Sequence, residues 1–220
     1  MIENVLNINN KKIEEFNKNC YNINVGIMGG TFNPIHLGHL IISQHIKDAL
    51  NLDKIIFIPA GNPPHKNIKN IDAKKRYEMV LLSTWNNKDF FVLDFEIKKE
   101  SYSYTFETLN YLKDTYKNVN LNFLCGADSI LDIENWHEFE EIFNMANLVV
   151  STRNSVASND LDIKIDFLRK KYGANIIKVL PPIIDISSTK LRENLESDKS
   201  IRYSVDNEVY KYIKENNLYR

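Results

Sequence analysis

Gly29-Gly30-Thr31-Phe32-Asn33-Pro34-Ile35-His36-Leu37-Gly38-His39 is the stretch on which the fold turns. An apolar, strand-like run, Val25–Met28, leads into it, and a helical pattern over 37–50 leads out. A strand, a tight glycine turn and a helix start in succession form a phosphate-binding corner. Glycine lets the backbone come close to a ligand, and a helix N-terminus favours anions through its N–H groups and its dipole. His36 and His39 are three residues apart and share one face of the first turn. The corner can therefore hold a polyphosphate and stabilise charge on it.

Outward from the corner, further strand-like runs recur at Ile55–Pro59, Phe90–Phe95, Asn120–Cys125, Leu148–Ser151 and Asn175–Leu180. Helical patterns separate them, over 72–86, 104–116, 137–146 and 160–172. This alternation predicts an α/β fold, a Rossmann-like, doubly wound and largely parallel sheet of about six strands with helices on both faces. The continuously apolar runs fit strands covered on both sides. A loop and helix start at Pro181–Arg192 and a helical tail over Val205–Asn217 add C-terminal helices. In such sheets ligands bind beyond the carboxyl ends of the strands.

Composition narrows the class. The 220 residues are 43% hydrophobic and 26% charged with a formal net charge of −1, which fits one folded domain and excludes disorder. The near-neutral balance gives no reason to expect nucleic-acid binding. Only Cys20 and Cys125 are present, too few for a disulfide scaffold and in keeping with a reducing, cytoplasmic location. No apolar run is long enough for a membrane span. The polar, acid-bearing start, residues 1–22, has no apolar signal core and is expected to be a short extension, partly helical or frayed.

Three segments, the corner among them, can converge at the strand ends. Pro63-Pro64-His65-Lys66 follows the second strand, and Lys66 offers a mobile point charge for phosphate. Ser187-Ser188-Thr189, with Arg192 one turn on, offers hydroxyls, helix N–H groups and a guanidinium for an anion. Neither GxGxxG nor GxxxxGK[ST] occurs, and no carboxylate cluster or Ser-His-Asp order stands out. Phosphoryl-type transfer needs mainly positioning and charge stabilisation, which this residue set supplies. Taken singly each segment has a structural explanation: Ser-Ser-Thr is an N-cap, Pro-Pro-His-Lys an exposed turn. His45 and His137 are expected on solvated or packed faces, and Trp85 in the core. The three segments point to function because they occur together, in this order, on this βα pattern.

These residues resemble the nucleotidylyltransferase superfamily with the (H/T)xGH signature, and within it the nicotinate-nucleotide adenylyltransferases. GGTFNPIHLGH resembles that family's GGTFDPxHxGH corner, and PPHK, SYTFETL (Ser103–Leu109), CGADS (Cys125–Ser129), ENWHEFEEI (Glu134–Ile142), ISSTKLR (Ile186–Arg192) and YIKENNLY (Tyr212–Tyr219) match its later blocks in order. The match covers about residues 24–219, so residues 1–22 form the N-terminal extension and 23–220 the nucleotidylyltransferase domain. Asn33 stands where the family more often has Asp, losing a charge but keeping a turn-forming side chain.

The resemblance implies an enzyme that joins ATP and nicotinate mononucleotide to give nicotinate adenine dinucleotide and pyrophosphate with Mg²⁺, a step of NAD biosynthesis. His36, His39, Lys66 and Arg192 would form the catalytic set, the histidines stabilising charge rather than acting as bases. Gly30, Thr31, Phe32, His36, Gly38, His39, Gly126, Asp128, Arg153, Ser187, Ser188, Thr189 and Arg192 would bind ATP. Gly29, Gly30, Thr31, Lys66, Thr105, Thr108 and Trp136 would bind the mononucleotide, with Trp136 stacked on the pyridine ring. No protein cage for Mg²⁺ is expected, the ion being held by phosphates and water. The rival assignments are a nicotinamide-mononucleotide or pantetheine-phosphate adenylyltransferase and a non-catalytic nucleotide sensor. PPHK and SYTxxTL favour the nicotinate branch. The chain could be a monomer or a homo-oligomer.

Overall fold

A computed structural model describes residues 1–62, 71–152 and 159–219. Six strands form one sheet: β1 (Ile23–Gly30), β2 (Lys54–Pro59), β3 (Phe90–Val92), β4 (Val119–Gly126), β5 (Ala146–Ser151) and β6 (Ile176–Val179). Their order is β3-β2-β1-β4-β5-β6, and every neighbouring pair is parallel. The chain reverses direction across the sheet between β1 and β4, which is where a doubly wound fold opens a crevice for ligand. Gly29-Gly30 and Gly126 end those two strands.

The helices are α1 (Ile2–Asn19), α2 (Leu37–Ala49), α3 (Ala73–Thr84), α4 (Thr105–Thr115), α5 (Ala127–Asp132), α6 (Phe139–Met145), α7 (Asn159–Tyr172), α8 (Ser188–Glu196) and α9 (Asn207–Glu215), with a 3₁₀ turn at Ile133–Asn135. Two apolar layers sandwich the sheet. On one face Ile46 of α2, Val80 of α3, Leu191 of α8 and Ile213 of α9 pack on Ile55 and Phe57. On the other, Leu112 of α4, Ile142 of α6 and Ile165 of α7 pack on Ile27, Ile56 and Phe123. Successive side chains of a strand point to opposite faces, so Ile55 and Phe57 join one layer while Ile56 joins the other.

The opening segment is a full 18-residue helix rather than a frayed extension. It contributes Val5 to one apolar layer and Phe16 to the other, so it wraps the β3 edge of the sheet. At that edge the buried Asn9 side chain takes the place of a neighbouring strand: its Nδ2 donates to Val92 O and its Oδ1 accepts from Val92 N, both at 2.9 Å. Lys12 donates to the carbonyls of Thr84, Trp85, Asn87 and Phe90, and burial pulls its amine down to about 8. An unpaired strand edge invites further pairing, and α1 closes this one. Trp85, expected in the core, is 39% exposed at the end of α3. The third strand is shorter than its apolar run, because after Val92 only Leu93 N still bonds across, to Phe57 O, before the chain turns away.

Candidate active site

Gly29, Gly30 and Thr31 deliver the chain from β1 into the corner and line a cavity of about 690 Å³ at the carboxyl ends of the strands. Phe32, with φ of 48°, turns its ring under the corner and is 2% exposed. A Cβ on Gly30 would lie 3.2 Å from that ring, so the glycine leaves room for it. The Phe32 ring meets the His39 imidazole edge-on, with centroids 5.1 Å apart.

His36 precedes α2 as its N-cap, and its backbone N–H donates to His39 Nδ1 at 3.2 Å. With Nδ1 accepting, the ring N–H of neutral His39 resides on Nε2. The two imidazoles stack with centroids 3.7 Å apart and an interplanar angle of 28°. Gly38 makes this possible, since a Cβ there would lie 2.9 Å from His36 Nδ1. The HxGH spacing thus encodes a stacked, immobilised pair. His39 lines the cavity, whereas His36 is 8% exposed and stands behind it.

The C-terminal segments hold the corner from the other side. Ser187 caps α8 by accepting from Lys190 N, and Ser188 Oγ donates to Pro34 O at 2.8 Å. Arg192 Nη1 donates to Asn33 O at 2.8 Å and Nη2 to Thr189 Oγ1 at 3.3 Å. Tyr219 donates its hydroxyl to Asn33 Oδ1 at 2.7 Å. Ser188 and Arg192 therefore brace the corner, with Thr189 bonded to Arg192 and Ser187 capping the helix, and none of the four is among the residues lining the cavity.

The same cavity is lined by Gly126 and Asp128, which open α5, and by Thr105, Thr108 and Trp136. Trp136 is held edge-on by Phe123, with centroids 6.1 Å apart. Thr108 is buried and donates to Glu96 Oε1 at 2.7 Å. Burial raises the Glu96 carboxyl, against the hydrogen bond from Thr108 that lowers it. Cys125 also lines the cavity, and burial pushes its thiol up to about 12, which makes it a poor nucleophile.

The structure brings together Gly29, Gly30, Thr31, His39, Thr105, Thr108, Gly126, Asp128 and Trp136 around one cavity. Lys66 and Arg153 lie outside the described residues. Glu96 and His137 line the cavity too, and sequence reasoning missed both. His137, expected on an ordinary face, packs its ring against Tyr104 at 4.6 Å. Its position directly after Trp136 was the available signal. Nothing at Glu96 marks it in the sequence, because its partner Thr108 lies twelve residues on.

A doubly wound sheet with a stacked HxGH pair at its switch point defines a nucleotidyltransferase of the cytidylyltransferase-like class, and that family matches residues 27–194. The chain belongs, within it, to the nicotinate-nucleotide adenylyltransferase family. A relative from Clostridium botulinum (strain Alaska E43 / Type E3), named a probable nicotinate-nucleotide adenylyltransferase, is 44% identical over 89% of this chain and 97% of its own length. One of the same name from Thermoanaerobacter sp. (strain X514) is 42% identical over 90% of this chain and 95% of its own. Among solved structures, Plasmodium falciparum nicotinic acid mononucleotide adenylyltransferase complexed with NaAD has a TM-score of 0.70 at 21% identity, covering 90% of this chain and 97% of its own. That likeness carries the fold.

Proposed function

We propose that this enzyme transfers the adenylyl group of ATP to nicotinate mononucleotide, giving nicotinate adenine dinucleotide and pyrophosphate in NAD biosynthesis. The observation that carries it is one cavity lined both by His39 and the glycine corner and by Trp136, Thr105 and Thr108. Such a cavity seats a polyphosphate against N–H donors and a flat aromatic ring against an indole. The cavity lies at the switch point, so two nucleotides can meet in it. Family membership at 42–44% identity supports the same reaction.

In the proposed step an oxygen of the mononucleotide phosphate attacks the ATP α-phosphorus in line. The bond from that phosphorus to the bridging oxygen breaks, and pyrophosphate leaves with the bond's electrons. His39 donates its Nε2–H to phosphate oxygens as negative charge shifts towards the leaving group. The backbone of Gly29–Thr31 cradles phosphate, and Asp128 accepts from ribose hydroxyls. Ser187–Thr189 and Arg192 hold the corner in register, and Lys66 and Arg153 complete the phosphate contacts.

Mg²⁺ would enter with the triphosphate. Among the described residues no group of three or more His, Cys, Asp or Glu converges to hold a metal. The phosphate end presents imidazole and backbone N–H, while Mg²⁺ takes oxygen ligands. Phosphate oxygens and water supply that set, and the ion neutralises charge on the polyphosphate.

A pyrophosphate-release assay with ATP and each pyridine mononucleotide tests the assignment. Turnover is expected with nicotinate mononucleotide in preference to nicotinamide mononucleotide. No turnover with either removes the enzymatic assignment, and a preference for the amide removes the nicotinate branch.

A further inference from the structure

Arg76 is the largest fully buried side chain among the described residues, 1% exposed, and it lies on α3, outside the sequence motifs quoted above. Its Nη1 donates to Thr31 O at 2.7 Å and its Nη2 to Gly61 O at 3.0 Å. Thr31 belongs to the corner after β1, and Gly61 to the loop after β2. One guanidinium fork thus ties together the two loops that border the phosphate end. Gly61 is itself wedged in place, because a Cβ there would lie 2.1 Å from Glu96 O. Glu96 in turn accepts from Thr108, which also lines the cavity.

The charge of Arg76 is as informative as its bonds. Both acceptors are neutral carbonyls, and among the described residues no ion pair to Arg76 occurs and Nε has no hydrogen-bond partner. Burial lowers its affinity for the proton, with Tyr219, Asp72 and Glu96 opposing that only at a distance. An arginine side chain nevertheless stays protonated in proteins. A buried charge without a direct counter-ion is costly, and a chain that needed only packing here would place an apolar residue. Thr31, whose carbonyl Arg76 binds, lines the cavity, while Arg76 itself does not. A polyphosphate there would be the missing counter-ion.

We propose that Arg76 is a positioning residue for adenylyl transfer, which locks the Thr31 and Gly61 loops into one unit and supplies buried positive charge beneath the polyphosphate. The proposal rests on the adenylyl-transfer assignment above. Two substitutions separate its parts. Arg76→Lys keeps the charge but cannot bridge two carbonyls with a planar fork. Arg76→Gln removes the charge and keeps a neutral donor.

The experiment uses the full chain and measures kcat and KM for both substrates at least about 20 °C below each variant's own melting midpoint, together with the Kd of inorganic tripolyphosphate. Arg76→Lys is expected to lose about 10- to 100-fold in kcat, the scale of a loop displaced by about an ångström, with tripolyphosphate Kd within about threefold of wild type. Arg76→Gln is expected to weaken tripolyphosphate by about tenfold as well. Normal kcat in both variants, with only the melting midpoint lowered, reduces Arg76 to a packing role and overturns the proposal. Unchanged tripolyphosphate affinity in Arg76→Gln overturns the charge component. Inactivity of the wild-type chain would instead defeat the functional assignment on which the proposal stands, and the two failures are thus distinguishable.

Discussion

Tyr219, at the very end of the described chain, donates its hydroxyl to the side-chain oxygen of Asn33 in the catalytic corner, 186 positions away, at 2.7 Å. Burial raises the Tyr219 phenol, so it stays a protonated donor at working pH. Asn33 O is meanwhile bound by Arg192. The residue that departs from the family corner is thus fastened at both its side chain and its backbone. An aspartate at this position would accept the same hydroxyl.

Tyr219→Phe leaves Asn33 Oδ1 without this donor. Stability is expected to fall by about 1–2 kcal/mol, and kcat/KM by about tenfold as the corner loosens. Asn33→Asp is expected to keep kcat/KM within about threefold. Chemical denaturation and steady-state kinetics check both, and a Tyr219→Phe enzyme with full kcat/KM would show the corner to be held without this bond.

Gly38→Ala places a Cβ 2.9 Å from His36 Nδ1 and must displace that ring from its stack on His39. The expected result is a kcat loss of tenfold or more, at about the scale for a misplaced catalytic group, with a folded circular-dichroism spectrum. Alanine propensity would by itself stabilise the helix. A more active variant would therefore contradict the stacked arrangement.

His39→Ala removes the only imidazole among the described residues that both lines the phosphate end and has its tautomer set by a backbone N–H. Loss of one charge-stabilising donor is worth about 10²- to 10³-fold in kcat. His36→Ala should cost less, since His36 stands behind the wall. Comparison of single-turnover rates decides the order, and equal losses would put both rings on the substrate.

Asn9→Ala strips two bonds from buried backbone groups of Val92 at the sheet edge. A cost of about 2 kcal/mol or more follows from leaving them unsatisfied. Turnover measured well below the melting midpoint should stay at the wild-type value, because β3 lies two strands from the switch point. A kinetic defect under those conditions would connect α1 to the site.

Glu96 carries a carboxyl raised above its ordinary 4.5 by burial. A folded-state value above the unfolded one means that its stabilising share is complete below the ordinary value. That share is lost as pH rises through the raised one. Glu96→Gln keeps an acceptor for Thr108 and removes the titration. The variant is expected to gain stability relative to wild type as pH rises from about 4 to about 8. Parallel denaturation curves across that range would exclude a raised carboxyl.

Much of the architecture was legible in the chain itself. Alternating apolar runs and helical periods identify a parallel sheet because strands buried on both faces must be continuously apolar, as at Ile55–Pro59. The Gly29–His39 corner, the Ser187–Arg192 block and the GAD and Trp136 motifs are local spellings of local chemistry, so they could be found without coordinates. The α1 edge closure was not legible, since a polar helix becomes informative only when Asn9 and Lys12 are seen against β3 and its neighbours.

By itself, then, the sequence determined the fold class and the place of the glycine-histidine corner on it, because backbone conformation and helix capping are read from adjacent residues. The tertiary structure decided which of the signature residues face the cavity and which brace it. It turned Ser188 and Arg192 onto the Pro34 and Asn33 carbonyls, put His36 behind His39, added His137 beside Trp136, and brought Glu96 and Arg76 to the site from segments carrying no motif. Those assignments depend on which buried donor finds which distant acceptor, and only chain packing settles that.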